Sequence, residues 1–189
     1  MPKSFIFNLL QKQTMKNLFL LFTILFAGLT LSAQDENRAP SPSSTVMQKV
    51  GLTDIMVEYS RPGVKDREIF SEDGLQAYGK MWRTGANTAT KITFSDDVKV
   101  EGNDIKAGSY SITSVPGAKS WKVNLYPYDG TRWSSYRDTT PAASMMITPE
   151  QIGSSVESFL IDINDLRDHS ATMYLVWEKT AVPIKIEVK

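Results

Sequence analysis

The chain has 189 residues, of which 41 % are hydrophobic and 22 % charged, enough for one domain plus a targeting segment and too apolar for a wholly disordered chain. Its formal net charge is zero, but Lys3, Lys12 and Lys16 stand in residues 1–33 without an acid; the remaining 18 basic and 21 acidic residues leave −3, no electrostatic footing for nucleic acid or an anionic membrane. Cysteine is absent, which excludes disulfides, thiolate catalysis and Cys-type zinc sites and leaves a packed core to hold the fold.

Residues 18–31, LFLLFTILFAGLTL, form an uncharged run between Lys16 and the pair Ser32-Ala33. A basic start, a short apolar middle and a small residue before the cut are the plan of a secretory signal peptide. A helix of that length reaches roughly 21 Å, short of the ~30 Å hydrocarbon core. The expectation is a Sec-type signal over residues 1–33 and cleavage after Ala33. A mature protein beginning at Gln34 would then be periplasmic or secreted, with no membrane span once the signal is gone. No cysteine follows the run, so a lipoprotein anchor is excluded. Met15 begins a compact signal by itself, which makes residues 1–14 a candidate upstream extension.

Residues 34–44, QDENRAPSPSS, read as a linker, and a single β-rich domain is expected over 45–189. Period-2 alternation then dominates. Val46, Gln48 and Val50 alternate with Thr45, Met47 and Lys49; after Gly51, Ile55, Val57 and Tyr59 oppose Met56, Glu58 and Ser60. An irregular segment runs from Arg61 to about Thr84. Strand pattern returns at Thr90, Ile92 and Phe94, then, after the Asp96-Asp97 turn, at Val98-Lys99-Val100. Gly102-Asn103-Asp104 reads as another turn. Gly108 opens a strand with Tyr110 and Ile112 on one side. Trp121, Val123 and Leu125 form its antiparallel partner, because the connection through Pro116-Gly117 is short. Residues 127–143 are rich in turn formers and read as a surface excursion. Strand candidates follow at 145–148, at Phe159/Ile161/Ile163, at Ala171/Met173/Leu175/Trp177, and at Val182/Ile184/Ile186/Val188.

About ten short strands and no amphipathic helix of three turns define an all-β chain. Tight turns cannot join parallel strands, which need long crossovers. An antiparallel β-sandwich is expected, since several strands are apolar on one face only, with a jelly-roll-like arrangement or a partly closed barrel as the alternative.

The runs YSRPGVKDREIF (59–70), YGKMWRTGANTATKITFSDDVKVEG (78–102) and AGSYSITSVPG (107–117), followed by ESFLIDI (157–163) and SATMYLVWE (170–178), resemble the signature of the domain of unknown function 2911 family. The resemblance extends from about Arg38 to the C-terminus. It implies an exported bacterial protein of one domain and supplies no catalytic residues.

Residue chemistry gives few catalytic candidates. His169 is the only histidine, too few for a His-based metal site, and sits in a turn between two strands; a serine–histidine–acid triad would need it as its base, and no G-x-S-x-G run surrounds any serine. Asp96-Asp97 and Asp162/Asp165/Asp168 are acidic clusters. The first pair diverges if extended, and the second lacks the glycine and terminal glutamate of a calcium loop. No cofactor and no metal is called for. The segment 78–87 stands apart, since a loop that concentrates Trp, Arg, Asn and glycine offers a flat apolar face, a planar fork of donors and an amide. Tyr78, Trp82, Arg83 and Asn87, with Tyr59 and Arg61 at a strand end, are the candidate ligand-binding residues. The competing reading puts Trp82 in one end of the sandwich, pairs Arg83 with a carboxylate inside and gives 85–87 a turn role. For Arg83 itself the buried, paired outcome is favoured.

Three functions are compatible with this set. The favoured one is a non-enzymatic exported module that binds a small carbohydrate-like ligand or an envelope partner. A carboxylate-dependent hydrolase requires two acids about 5–9.5 Å apart in a pocket. A purely structural envelope protein requires an exposed apolar patch above a few hundred Å².

Overall fold

The computed structural model describes residues 40–130 and 132–189, all within the second of the chain's two units, Ala39–Lys189. The segment expected to be a signal peptide and most of the expected linker lie outside the described residues. Alternation becomes strand pairing almost from the start: β1 (Ser43–Val50) and β2 (Thr53–Ser60) are joined by a turn at Leu52, with Val46 opposite Val57 and Gln48 opposite Ile55. β3 (Thr90–Phe94), β4 (Val98–Val100), β5 (Asn103–Ile105), β6 (Gly108–Val115), β7 (Trp121–Pro127), β8 (Ala143–Ile147), β9 (Glu150–Arg167) and β10 (Ser170–Glu187) follow. They build two antiparallel sheets, ordered β1-β2-β3-β6-β7-β8 and β5-β4-β10-β9. Both sheets are open, so the molecule is a β-sandwich and not a closed barrel.

Three features depart from the sequence reading, the first being that β9 begins at Glu150, well before Phe159. Residues 103–105 are a strand rather than part of a turn, pairing Val98 with Ile105 across the tight connection at Glu101 and Gly102. The two last predicted strands are one: β10 runs 18 residues through Pro183. Proline lacks an N–H, but its position falls between the β10–β9 ladder, which ends at Ala181, and the β10–β4 ladder, which begins at Ile186.

Inward side chains of both sheets, including Ile55, Val57, Ile92, Ile112, Leu125, Ile161, Leu175 and Ile184, form one continuous core. One end of it is aromatic. Trp82 stacks on Trp177 at 5.6 Å between centroids and meets Phe159 edge-on at 5.1 Å, while Phe70 meets Trp121 at 4.8 Å. Trp82 and Phe70 belong to no strand of either sheet; the irregular segment 61–89 carries them inward and closes the sandwich. The segment also runs along the outer edge of β9: the Val64 N–H donates to Glu157 O at 2.8 Å and the Phe159 N–H to Pro62 O at 2.9 Å. That cover removes part of an edge that would otherwise template pairing with another chain.

The 127–143 excursion contains a 3-10 helix, Trp133–Asp138, whose buried residue is Tyr136. Tyr136 stacks on Tyr126 at 5.0 Å, over the face of the six-stranded sheet turned away from the core. Ser111, Thr113, Asn124 and Tyr126 lie buried there. Asn124 Nδ2 donates to Thr113 Oγ1 and its Oδ1 accepts from Ser144 Oγ at 2.8 Å, and burial pushes the Tyr126 hydroxyl above its ordinary range. The excursion is therefore packed onto the sheet as a cover rather than extended into solvent.

Candidate functional site

Trp82 lies beside β6, its backbone exchanging hydrogen bonds with Ser114 at 2.7 and 2.9 Å. The chain then leaves the sheet for seven residues, 83–89, before re-entering it as β3 at Thr90. Thr84 and Asn87 take left-handed backbone conformations (φ 51° and 57°) and Gly85 takes φ 153°. Such a conformation is rare for a β-branched residue and persists only where the surroundings over-determine it. They do so here. Thr84 Oγ1 and Ser114 Oγ share a hydrogen bond at 2.9 Å, Thr90 Oγ1 donates to Thr84 O at 2.6 Å, and Trp82 Nε1 donates to Gly85 O at 2.8 Å. Asn87 Nδ2 reaches Ser41 O at 2.9 Å and Ser60 Oγ at 3.2 Å. The loop is a fixed projection of the sheet.

That projection and the start of the excursion enclose a groove of about 530 Å³, within the range of small-molecule sites. Arg83, Asn87, Thr88 and Ala89 line one side; Tyr128, Gly130, Arg132, Trp133 and Ser134 line the other. A second depression of about 320 Å³ shares Thr88, Ala89 and Tyr128 and extends over Lys91 and Glu58, which form an ion pair. Arg83 lies 5.0 Å from the centroid of the Trp133 ring and Arg137 lies 5.1 Å from it.

The six sequence-predicted residues separate. Arg83 and Asn87 meet in the groove. Trp82 (3 % exposed) and Tyr59 (5 % exposed) are core side chains, and the Tyr59 hydroxyl accepts the Ile161 N–H at 3.0 Å. Arg61 is half-buried beside β9, its Nε donating to Phe159 O at 2.9 Å. Tyr78 is half-buried in the 61–89 segment and is not part of the groove lining. The favoured reading of Arg83 as buried and paired with a carboxylate is corrected. Arg83 is only half-buried, and no ion pair among the described residues includes it. Its Nη1 donates to Asn87 O at 3.2 Å, and its Nε is out of solvent without a protein partner. Trp133 and Arg132 were not singled out from the sequence; the run RWSSYR (132–137) has the same Trp/Arg mixture that marked 78–87, and applying that criterion to the excursion would have found them.

Acidic chemistry finds less support. A cleft of about 390 Å³ holds Asp97, Asp104 and Glu187, but each carboxylate is held by a lysine: Lys106 at 2.9 Å, Lys99 at 2.6 Å and Lys185 at 2.5 Å. The hydrogen bond from Lys106 holds the Asp97 carboxyl below its usual range, helped by the Ala107 N–H, and Lys99 does the same for Asp104. A general acid needs the opposite shift. Because the folded Asp97 pKa is lowered, its stabilising contribution is present above the unfolded value of 3.8 and is lost as pH falls through the folded one. Side-chain carboxyl NMR should place the Asp97 midpoint below 3.8, and Lys106→Met should move it back up; a midpoint that does not move would remove Lys106 as the cause. His169 is exposed at the β9–β10 turn, and no group of three His, Asp or Glu among the described residues is arranged to hold a metal. No helix among them is long and apolar enough to cross a membrane.

Fold and groove together define an all-β sandwich domain with a cationic, aromatic groove beside one sheet. The family model described as "Protein of unknown function (DUF2911)" matches residues 41–186, and the chain belongs to that family. No curated protein and no solved structure matches it.

Proposed function

We propose that this protein is an exported binding module whose 84–89 loop and 3-10 helix grip a small, carbohydrate-like ligand. The carrying observation is the groove itself. It sets the rings of Trp133 and Tyr128 opposite the Asn87 and Thr88 side chains, on a loop that hydrogen bonds hold rigid. Apolar ring faces that stack, ringed by a few fixed polar groups, are what recognition of a sugar needs. Tyr128 is 40 % exposed, with Lys91 Nζ 5.5 Å from its ring centroid, so the ligand would take the ring surface that Lys91 leaves free. The exposed apolar side chains favour this over a purely structural role. Met47, Leu52, Leu75, Met146 and Leu166 stand on separate elements, and β1 and β8 are opposite edges of their sheet. Export rests on the N-terminal signal; sequencing the envelope-fraction protein should return Gln34 first, and a full 21.1 kDa chain in the cytoplasm would end that part of the reading.

A screen of neutral and acidic sugars and envelope glycan fractions by thermal shift should find at least one that raises the melting temperature. Trp133→Ala should abolish that rise while lowering the unliganded melting temperature little, because Trp133 is outside the core cluster. Absence of stabilisation by every fraction would remove the proposal.

A further inference from the structure

Resting on the groove reading above, we infer that the ligand is an anionic sugar, its ring on the aromatic side and its carboxylate or phosphate oxygens on Arg83 and Arg132. Among the described residues the groove lining carries these two arginines and no carboxylate. A third, Arg137, lies over the same Trp133 ring as Arg83. No ion pair among the described residues includes any of the three, as is also true of Arg61, Arg67 and Arg167; the three are set apart by their place at the groove and the Trp133 ring. Asp129, which precedes the groove residue Gly130, accepts the Tyr136 hydroxyl's hydrogen bond at 3.1 Å.

Arg83 is the decisive residue. A guanidinium has five N–H donors in a planar fork. One protein acceptor, the Asn87 carbonyl, serves that fork, at Nη1; Nε is out of solvent, so the donors open to a ligand are those of the Nη groups. An oxyanion is the acceptor whose two oxygens match paired guanidinium donors. The Trp133 ring restrains the guanidinium laterally without satisfying its N–H groups, since cation–π attraction uses the ring face and not a lone pair. Neutral sugars could use Asn87, Thr88 and the aromatic rings; an anion in addition matches the two arginines that the groove lining sets beside them.

Titration calorimetry of the full chain with D-glucuronate, D-glucose, D-glucose 6-phosphate, acetate and inorganic phosphate separates the cases. At least one acidic sugar should bind about tenfold or more tighter than D-glucose, with affinity falling as salt is raised. Arg83→Lys, which keeps the charge and loses the fork, should weaken it about tenfold, and Arg132→Ala, at an exposed position, should weaken it while leaving the melting temperature unchanged. Preference for the phosphate sugar supports the inference and assigns the oxyanion as phosphate; preference for glucuronate assigns it as carboxylate. Equal binding of D-glucose and the acidic sugars overturns the inference and leaves the binding module standing. Acetate or inorganic phosphate binding as tightly as the sugars leaves the oxyanion contact and overturns the sugar reading. No binding of any of the five overturns the anionic-sugar assignment, and the wider glycan screen then decides whether the module reading survives.

Discussion

Trp82→Ala should destabilise the domain by about 3–5 kcal/mol, the range for deleting a large aromatic side chain from a core. Trp82 is 3 % exposed and touches Phe70, Trp121, Phe159 and Trp177, so truncation opens a hole where the 61–89 segment closes the sandwich. It also strips the Gly85 carbonyl of its N–H donor, at a further cost of about 1 kcal/mol. For a domain of this size the melting temperature should fall by on the order of 10 °C. In urea the midpoint should fall with little change in slope, because the surface exposed on unfolding is nearly the same. Trp82→Phe should recover most of the packing but not the hydrogen bond. A melt indistinguishable from the unaltered protein would mean that Trp82 is open to ligand and that the aromatic plug does not close the core.

Gly85→Ala should be nearly as damaging, for a different reason. At φ 153° the backbone adopts a conformation that side-chain-bearing residues rarely take. An added Cβ would lie 2.8 Å from Thr90 Oγ1 and 3.1 Å from the Ser60 carbonyl oxygen. Thr90 Oγ1 is committed to the Thr84 carbonyl and Ser60 O is backbone at the end of β2, so neither yields cheaply. Strain of about 1–3 kcal/mol adds to overpacking of similar size. Gly79→Ala is the control: it also has a positive φ, 72°, but nothing lies within 4 Å of its Cβ. Equilibrium unfolding should therefore rank Gly85→Ala well below Gly79→Ala. Equal losses would show that crowding is not what requires glycine at 85. Gly85→Ala should also weaken ligand binding beyond its effect on stability, because the loop it distorts carries Arg83 and Asn87 into the groove.

Period-2 alternation was legible wherever a strand has one face on the core. Ile55/Val57/Tyr59, Trp121/Val123/Leu125 and Ala171/Met173/Leu175/Trp177 point where their spacing says. The first half of β9 was not legible: the spacing marked a strand only at Phe159/Ile161/Ile163. Residues 150–157 are exposed or half-buried, so no core selects their side chains; they are strand because β10 pairs with them. Pairing leaves no mark on side-chain polarity when both faces of an edge strand are open.

The site shows the same division more sharply. Composition alone marked 78–87 as unusual, and Arg83 and Asn87 do line the groove. Trp82, one residue before Arg83, does not, since adjacent residues of an extended chain point opposite ways and the pairing of Trp82 with Ser114 turns its ring inward. Trp133 and Arg132, some fifty residues away along the chain, supply the opposite wall. The sequence by itself determined an all-β antiparallel sandwich, membership of one family through motifs spread along the domain, and the absence of thiol chemistry, because these follow from local periodicity, turn residues and composition. Only the tertiary structure decided which aromatic residues fill the core and which face solvent, that Arg83 has no carboxylate partner among the described residues, and that two distant loops form one groove. Those are properties of what lies across the sheet, and no spacing along a single chain encodes them.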